Sequence, residues 1–251
     1  MIQTWVVLSD LQIPFQDKPV LDLVFKFMRD LRPYGVALNG DVVDCYELSE
    51  FDKNPLKDAG LDREIREAGD VMGQIKGMGV KRRVWLGGNH EDRLRRVLWK
   101  NPKFARIAAL QFPKLFDLDK YGFEWRPYGA VLNLGRLVVT HGSTVRQHSG
   151  WTARAHFEKF GGSVLVGHTH RLGTYYRSNA RGMHASFENG CLCRLNPEYV
   201  QFPDWQQGFS VVHVDTENTG FFSVQQIPII RRRMLFYGQR RFERGQAMGR
   251  D

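Results

Sequence analysis

Five short polar clusters, spaced along the chain, combine side chains that can bind a cation or move a proton. They are Asp10-Leu11-Gln12, Gly40-Asp41-Val42-Val43-Asp44, Gly88-Asn89-His90-Glu91, His141-Gly142 and Gly167-His168-Thr169-His170. Carboxylate, amide and imidazole donors in one set suit divalent transition metals. Two such ions held side by side need a carboxylate to share, further N or O donors for each, and open positions for water and substrate. Asp41 is the best candidate for the shared carboxylate, because Gly40 before it permits a tight backbone. Asp10 can hold one ion. His168 and His170 alternate, and in a turn after a strand they can diverge onto two neighbouring ions, with His141 and Asn89 completing the second site.

The elements that must position these side chains are legible in the flanking residues. Apolar runs at residues 5–8, 35–38, 84–86, 137–139 and 164–166 each lead into one of the clusters. A strand that ends in Asp, Asn or His presents that side chain at the carboxyl edge of a sheet, where open α/β sheets bind their ligands. The spacing predicts a strand over 4–8, a helix over 18–31 stopped by Pro33, and a strand over 35–38. That order is a parallel βαβ unit with a right-handed crossover. A second helix is expected over 61–78, a strand over 83–86, a basic helix over 92–100 and a further helix to Leu110. Beyond it the pattern turns to short strands at 123–126, 130–134 and 136–140, a helix over 151–160 and a strand over 163–166. The rest reads mostly as β, at 175–176, 184–187, 209–214 and 221–227. The expected fold class is α/β: a four-layer α-β-β-α sandwich with two mixed sheets and a dinuclear metal site at the strand carboxyl ends.

In order and spacing the clusters resemble the calcineurin-like metallophosphoesterase superfamily. The matching pieces are Asp-x-Gln where most relatives have Asp-x-His, Gly-Asp-x-x-Asp, Gly-Asn-His-Glu, a lone His before Gly, and Gly-His-x-His; together they span Asp10 to His170. Within the superfamily the chain is most similar to small phage and bacterial members. The resemblance implies that Asp10, Gln12, Asp41 and His170 surround one ion and that Asp41, Asn89, His141 and His168 surround the other. It assigns His90 to proton donation at the leaving group, with Asp44 fixing the ring tautomer and favouring its charged form. The implied reaction is in-line attack of water on phosphorus, with the ions lowering the water's pKa and neutralising phosphoryl oxygens. Manganese is the expected metal, with iron, zinc, nickel and magnesium as alternatives. Gln12 departs from the family pattern. Its amide oxygen is a harder, neutral donor, which favours manganese or magnesium over zinc at the first site, unless Gln12 stands one shell back.

Arg93 and Arg171 directly follow two clusters, and either could steady a phosphate oxygen in a bidentate grip. The ordinary alternative for each is a surface arginine or an ion pair. Arg95, Arg96, Lys100 and Lys103 either extend a basic rim or form the solvated face of a helix whose apolar face is Leu94, Val97 and Leu98. His148, His156, His184 and His213 lack such context and are expected in the surface or core. Glu91 is expected to support its loop.

The 251 residues carry a net charge of +9, which favours phosphate-bearing partners. The expected substrate is therefore a phosphoester, mono- or diester, with nucleotides or nucleic acids preferred. The competing reading is a catalytically weak nucleic-acid-binding module on the same fold. Residues 231–251 carry seven arginines with Phe236, Tyr237 and Phe242. That mixture can hold single-stranded DNA or RNA, or it can be a solvated basic tail; residues 1–230 form the expected catalytic domain. No apolar run reaches the ~18 residues of a membrane span, and the start shows neither a basic region nor a cleavage site. A cytoplasmic protein is expected, in the host cytoplasm if phage-encoded. Cys45, Cys191 and Cys193 are few and odd in number, so they read as reduced, packed thiols. Cys191-Leu192-Cys193 has one intervening residue where zinc knuckles have more, which leaves a metal role as the lesser reading.

Overall fold

The structure is a computed structural model that describes residues 1–57, 59–180, 182–197, 201–217, 220–236 and 240–243. Two mixed sheets and their helices form an α/β fold. The first part of the chain lays down β1 (Ile2–Leu8), α1 (Lys18–Leu31), β2 (Gly35–Asn39), α2 (Leu61–Gly77) and β3 (Arg82–Leu86). It continues with α3 (Glu91–Lys100), α4 (Phe112–Leu115), α5 (Leu118–Tyr121) and β4 (Glu124–Arg126). Next come β5 (Leu132–Leu134), β6 (Leu137–Thr140), α6 (Trp151–Phe160), β7 (Val164–Val166), β8 (Leu172–Asn179) and β9 (Gly182–Asn189). Then follow β10 (Gly208–Asp215), β11 (Phe222–Pro228), β12 (Arg233–Phe236) and β13 (Arg240–Glu243).

The first large sheet has the order β11-β10-β1-β2-β3-β4, with β1 to β4 parallel and β10 and β11 antiparallel. The second has the order β5-β6-β7-β9-β8, with a parallel centre of β6, β7 and β9. Each sheet therefore aims the carboxyl ends of three adjacent parallel strands, β1-β2-β3 in one and β6-β7-β9 in the other, toward loops that can carry donors.

Side-chain alternation divides the apolar residues between two cores. Val6, Leu8, Val36, Leu38 and Trp85 face α1 and α2, joining Phe25, Phe27, Met28, Met72 and Ile75. Trp5, Val7, Ala37, Val84 and Leu86 face the other way and pack on Leu137, Val139, Leu165 and Phe187 of the second sheet. A strand covered on both faces reads as a continuous apolar run, which is why these strands show no polar alternation. Helix α1 begins where the Asp17 carboxylate accepts the Val20 N–H at 3.4 Å, with Pro19 in the first turn, and ends at Arg32 in the left-handed region before Pro33. Helix α6 packs on β7, β8 and β9.

Three expectations need correction. The helix expected to reach Leu110 is a series of turns with one 3₁₀ turn at Ala108–Leu110. Pro102 disfavours helical backbone at Asn101, whose φ is −126°, so α3 stops there. Strand β8 runs over eight residues, well beyond the expected 175–176, because its pairing with β9 supplies the order that its exposed sequence lacks. The start of the basic tail is structured. Met234 and Phe236 are buried, the Phe236 ring meets Phe27 of α1 edge-on at 5.0 Å, and β12 pairs antiparallel with β13. The apolar alternation of residues 234 and 236 decides their place, whatever their arginine neighbours do. Tyr237 and residues 244–251, with Arg244 and Arg250, lie outside the described residues. Among the described residues no helix is long and apolar enough to cross a membrane.

Candidate metal centre

All five clusters converge. Asp10 and Gln12 follow β1, Asp41 follows β2, Asn89 and His90 follow β3, His141 follows β6, and His168 and His170 follow β7. Backbone hydrogen bonds lock neighbouring loops together: Asp10 N–H donates to Gly40 at 3.0 Å, Gln12 N–H to Asp41 at 2.9 Å, and Gly167 N–H to His141 at 3.1 Å. The two sheets are joined where the His168 N–H meets the Asp10 carboxylate at 3.1 Å. Asp10, Gln12, Asp41, His168 and His170 all have positive φ, between 47° and 69°. Non-glycine residues in that region are uncommon, and they gather at sites where surrounding contacts over-determine the backbone.

Two glycines are required by close approach. A Cβ at Gly40, itself at φ +80°, would lie 2.3 Å from His141 Nδ1, and one at Gly88 would lie 2.1 Å from Asp41 Oδ1. Glu91 sits beneath the Asp41 and Gly88 loops. Its carboxylate accepts the N–H groups of Gly88 at 2.7 Å, Val42 at 2.8 Å, Asp41 at 3.0 Å and Val43 at 3.3 Å, and the Trp85 indole N–H at 3.3 Å. Burial and the nearby Asp41 carboxylate raise the Glu91 pKa above the ordinary value, against the five converging donors, which favour the ionised form. Loop support is the expected role of Glu91, and in the structure it braces the Asp41 and Gly88 loops at once.

Asp41 is the centre of the arrangement. It is 1% exposed. Its Oδ2 lies 3.2 Å from His141 Nε2 and 3.6 Å from His90 Nε2, while Oδ1 accepts the His90 N–H at 2.9 Å. Burial works to raise its pKa, but the His141 and His90 rings outweigh it and hold the carboxyl well below the usual range. His141 also contacts Asn89 Oδ1 at 3.3 Å and the Asn39 carbonyl at 2.9 Å. Burial opposes its charge, yet Asp41 pushes its pKa up to about 10. His168 goes the other way: burial and the neighbouring His141 push it down to about 4, leaving a neutral ring with a free lone pair. On the other flank, His170 Nε2 lies 3.2 Å from Asp10 Oδ1 and 3.3 Å from the Gln12 amide.

His90 reaches both carboxylates, with Nδ1 3.5 Å from Asp44 Oδ1. Burial of the ring favours its neutral form, but Asp41 and Asp44 outweigh this and raise the pKa above the ordinary imidazole value. Arg93 donates to both the Asp44 carbonyl at 2.7 Å and its carboxylate at 2.8 Å, so it fixes the residue that fixes His90. Arg171 is buried, and its guanidinium donates to the carbonyls of Gln147, at 2.7 Å, and Arg146. It pins the 146–147 loop. Arg95 and Arg96 both pair with Asp92, and Lys100 pairs with Glu50. His156 is buried on α6, where its Nδ1 meets the Thr152 carbonyl at 2.9 Å, and His213 bonds Thr4.

A cavity of about 200 Å³ opens onto the set, lined by Gln12, Asp41, Asn89, His90, His168 and His170, with Val145, Thr169 and Trp205 as further walls. Trp205 went unnoticed in the sequence because no periodic pattern frames it; its ring meets that of His170 at 4.2 Å. The donor set fits divalent cations. Asp41, His141 and His168 bring one ligand atom each within 4.8 Å of the others. Buried carboxylates at Asp10 and Asp41 face imidazoles across gaps of 3.2 Å. Gln12 fits with its amide turned so that oxygen, in place of nitrogen, faces His170, a choice of amide orientation that the hydrogen-bond network decides.

No protein-family model matches the chain. The Gene 54 protein of Mycobacterium phage D29 is 31% identical over 231 residues, covering 84% of this chain and 88% of that protein. The Gene 54 protein of Mycobacterium phage L5 is 28% identical over 256 residues, covering 93% and 96%. Among solved structures, an Entamoeba histolytica Vps29 mutant superposes with a TM-score of 0.48 at 10% identity, covering 91% of this chain and 93% of that one. A Pseudomonas putida nuclease, MPE, gives a TM-score of 0.38 at 13% identity, covering 88% and 86%.

Proposed function

We propose that this chain, which belongs to the family of the mycobacteriophage Gene 54 proteins, is a calcineurin-like metallophosphoesterase on a four-layer α-β-β-α frame. It hydrolyses phosphate mono- or diesters, of nucleotides or nucleic acids, with two divalent ions. The observation that carries the reading is Asp41: one buried carboxylate within 3.2 Å of His141 and 3.6 Å of His90, at the wall of a cavity that reaches ligands from both sheets.

Asp10, Gln12, Asp41 and His170 would hold one ion, and Asp41, Asn89, His141 and His168 the other. Manganese is the proposed metal, with iron, zinc, nickel or magnesium able to use the same donors. Bound ions supply charge neutralisation at the phosphoryl oxygens and ease the loss of a proton from water. The protein's own contribution is proton donation and positioning. His90 lines the cavity with its pKa raised by Asp41 and Asp44 against the effect of burial, which favours a ring that can deliver a proton to a leaving oxygen. Asp44, steadied by Arg93, stands 3.5 Å from Nδ1 and would fix the ring tautomer, with Nε2, 3.6 Å from Asp41, serving the substrate side. Arg93 and Arg171 therefore act in this reading through Asp44 and the 146–147 loop; positive charge for the phosphate comes from His90 and the ions.

A second reading has one observation in its favour. Arg95, Arg96, Trp99 and Lys100 are exposed along α3, and the Arg95 guanidinium stacks over the 64% exposed Trp99 ring at 4.1 Å. Such a basic-aromatic face can hold single-stranded nucleic acid without turnover. Hydrolysis of a chromogenic phosphodiester and monoester, with and without added manganese, separates the two. Metal-loaded protein that cleaves neither ester, yet binds DNA or RNA in a salt-dependent way, would establish the binding module.

A further inference from the structure

Behind His170, on the side away from Asp10, lie two thiols that the proposed hydrolysis does not use. His170, Cys191 and Cys193 are all buried, and one ligand atom from each lies within 4.8 Å of the other two. The imidazole is common to both environments. Its Nε2 lies 3.2 Å from Asp10 Oδ1, and its Nδ1 lies 3.8 Å from Cys193 Sγ. We infer that His170, Cys191 and Cys193 form a thiophilic metal site, back to back with the Asp41 pocket, that takes Zn2+ or a softer cation such as Cd2+.

The spacing alone argues against this, because cysteines two apart in an extended strand point to opposite faces. The local backbone removes the objection. Strand β9 ends at Asn189, Gly190 turns at φ +72°, and Cys191 and Cys193 lie beyond the strand in isolated bridges to Gln207 and Gln16. The segment is held on all sides. Cys191 N–H donates to the Gln206 carbonyl at 3.0 Å, Cys193 N–H to the Asp10 carbonyl at 3.0 Å, and Gln206 N–H to the His170 carbonyl at 2.8 Å. The Gln207 side chain donates to the Cys193 carbonyl at 2.9 Å. The three donors are thus fixed relative to one another before any ion arrives, which is what a metal site needs.

The distances suit a four-coordinate ion. Zn–S near 2.3 Å and Zn–N near 2.0 Å at a tetrahedral angle place N and S about 3.6 Å apart. The observed 3.8 Å lies a few tenths beyond that. The Gln206 carbonyl oxygen, 3.6 Å from Cys191 Sγ, is placed to be the fourth donor. Thiol sulfur selects borderline and soft cations, so this set and the oxygen-rich Asp41 set prefer different metals. Uptake releases both thiol protons and uses the Nδ1 lone pair; a ring that also holds the Asp10-side ion through Nε2 gives up its ring proton too and joins the two sites as imidazolate. The competing account is a plain S–H···N hydrogen bond between Cys193 and His170, which binds no ion.

Cadmium titrated into the metal-free full chain decides between them, read by ultraviolet thiolate-to-cadmium charge-transfer absorption. The expected band saturates at one Cd2+ per chain, survives Cys45→Ser and vanishes in the Cys191→Ser/Cys193→Ser double variant. Absence of the band in folded wild-type protein under excess Cd2+, or its persistence in the double variant, overturns the site. The wild-type arm stands even if the double variant fails to fold. Mn2+ uptake, followed separately by electron paramagnetic resonance, tests the dinuclear reading, so each proposal can fail without the other.

Discussion

Two buried glutamates brace the ligand loops, one from each side of the site, and they do so by different means. Glu91, at the start of α3, gathers four backbone N–H groups and the Trp85 indole, three of the four backbone donors coming from the Asp41 loop itself. Glu188, on β9, accepts the Thr152 and Ala153 N–H groups at the start of α6, at 3.1 and 3.2 Å, and the Thr169 hydroxyl at 2.9 Å. The first-sheet loops are therefore held by their own main chain. Glu188 touches the His168–His170 turn through one hydroxyl, that of Thr169, and its remaining bonds serve the helix. Neither carboxylate reaches the cavity, yet each decides how well a donor set is pre-organised. Glu91 meets the main chain of its loops directly, whereas Glu188 reaches its turn through a threonine side chain.

Removing the residue that both sides share breaks this comparison outright. Asp41→Ala is expected to lose both ions and at least about a hundredfold in turnover, read by metal analysis and phosphodiester hydrolysis. His90→Ala should cut turnover by about 10²–10⁴ with ion content retained, since proton donation is lost and coordination is not. Asp44 raises the His90 pKa, so the charged ring persists to higher pH than in free histidine. Asp44→Asn removes that support, and the high-pH limb of the rate profile is expected to move to lower pH. A limb that stays in place would assign the acid elsewhere.

The glutamates themselves sharpen the contrast. Glu91→Gln puts a donor against converging N–H groups and should cost about 3 kcal/mol by urea denaturation. Glu188→Gln should cost less, about 1–2 kcal/mol, and loosen manganese more than it lowers stability. Equal losses would erase the distinction. The smallest effect is expected at Gln12→His, which should shift metal preference from manganese toward zinc with stability nearly unchanged.

Where an element is amphipathic or buried on both faces, its place was readable in the residues. Helix α1 matches the expected 18–31 because Asp17, Pro19 and Pro33 mark its ends. Helix α6 matches 151–160 because glycines stand at both caps. The ligand loops were legible for a related reason: a carboxylate or imidazole directly after a buried run has few structural uses. Of the donors named from the sequence, Gln12, Asp41, Asn89, His90, His168 and His170 line one cavity, with Trp205 and Val145 as additions, while Asp10, Asp44 and His141 are not part of its lining. Arg93 and Arg171 show the limit. Their position beside the clusters was visible, but the direction of a guanidinium depends on acceptors distant in sequence, Asp44 for one and the Gln147 carbonyl for the other. Glu91's five donors were equally hidden, since four of them are main-chain groups that every sequence possesses.

The left-handed backbone at Asp10, Gln12, Asp41, His168 and His170 has a thermodynamic corollary. Conformations of that kind disfavour the native state by roughly 1–3 kcal/mol apiece. Cations that grip those side chains only when the chain is folded return stability as they load, in proportion to the logarithm of their free concentration. Occupancy and folding then become one linked equilibrium. The melting temperature should climb with manganese and fall with chelator, turning a simple thermal scan into a gauge of cation affinity.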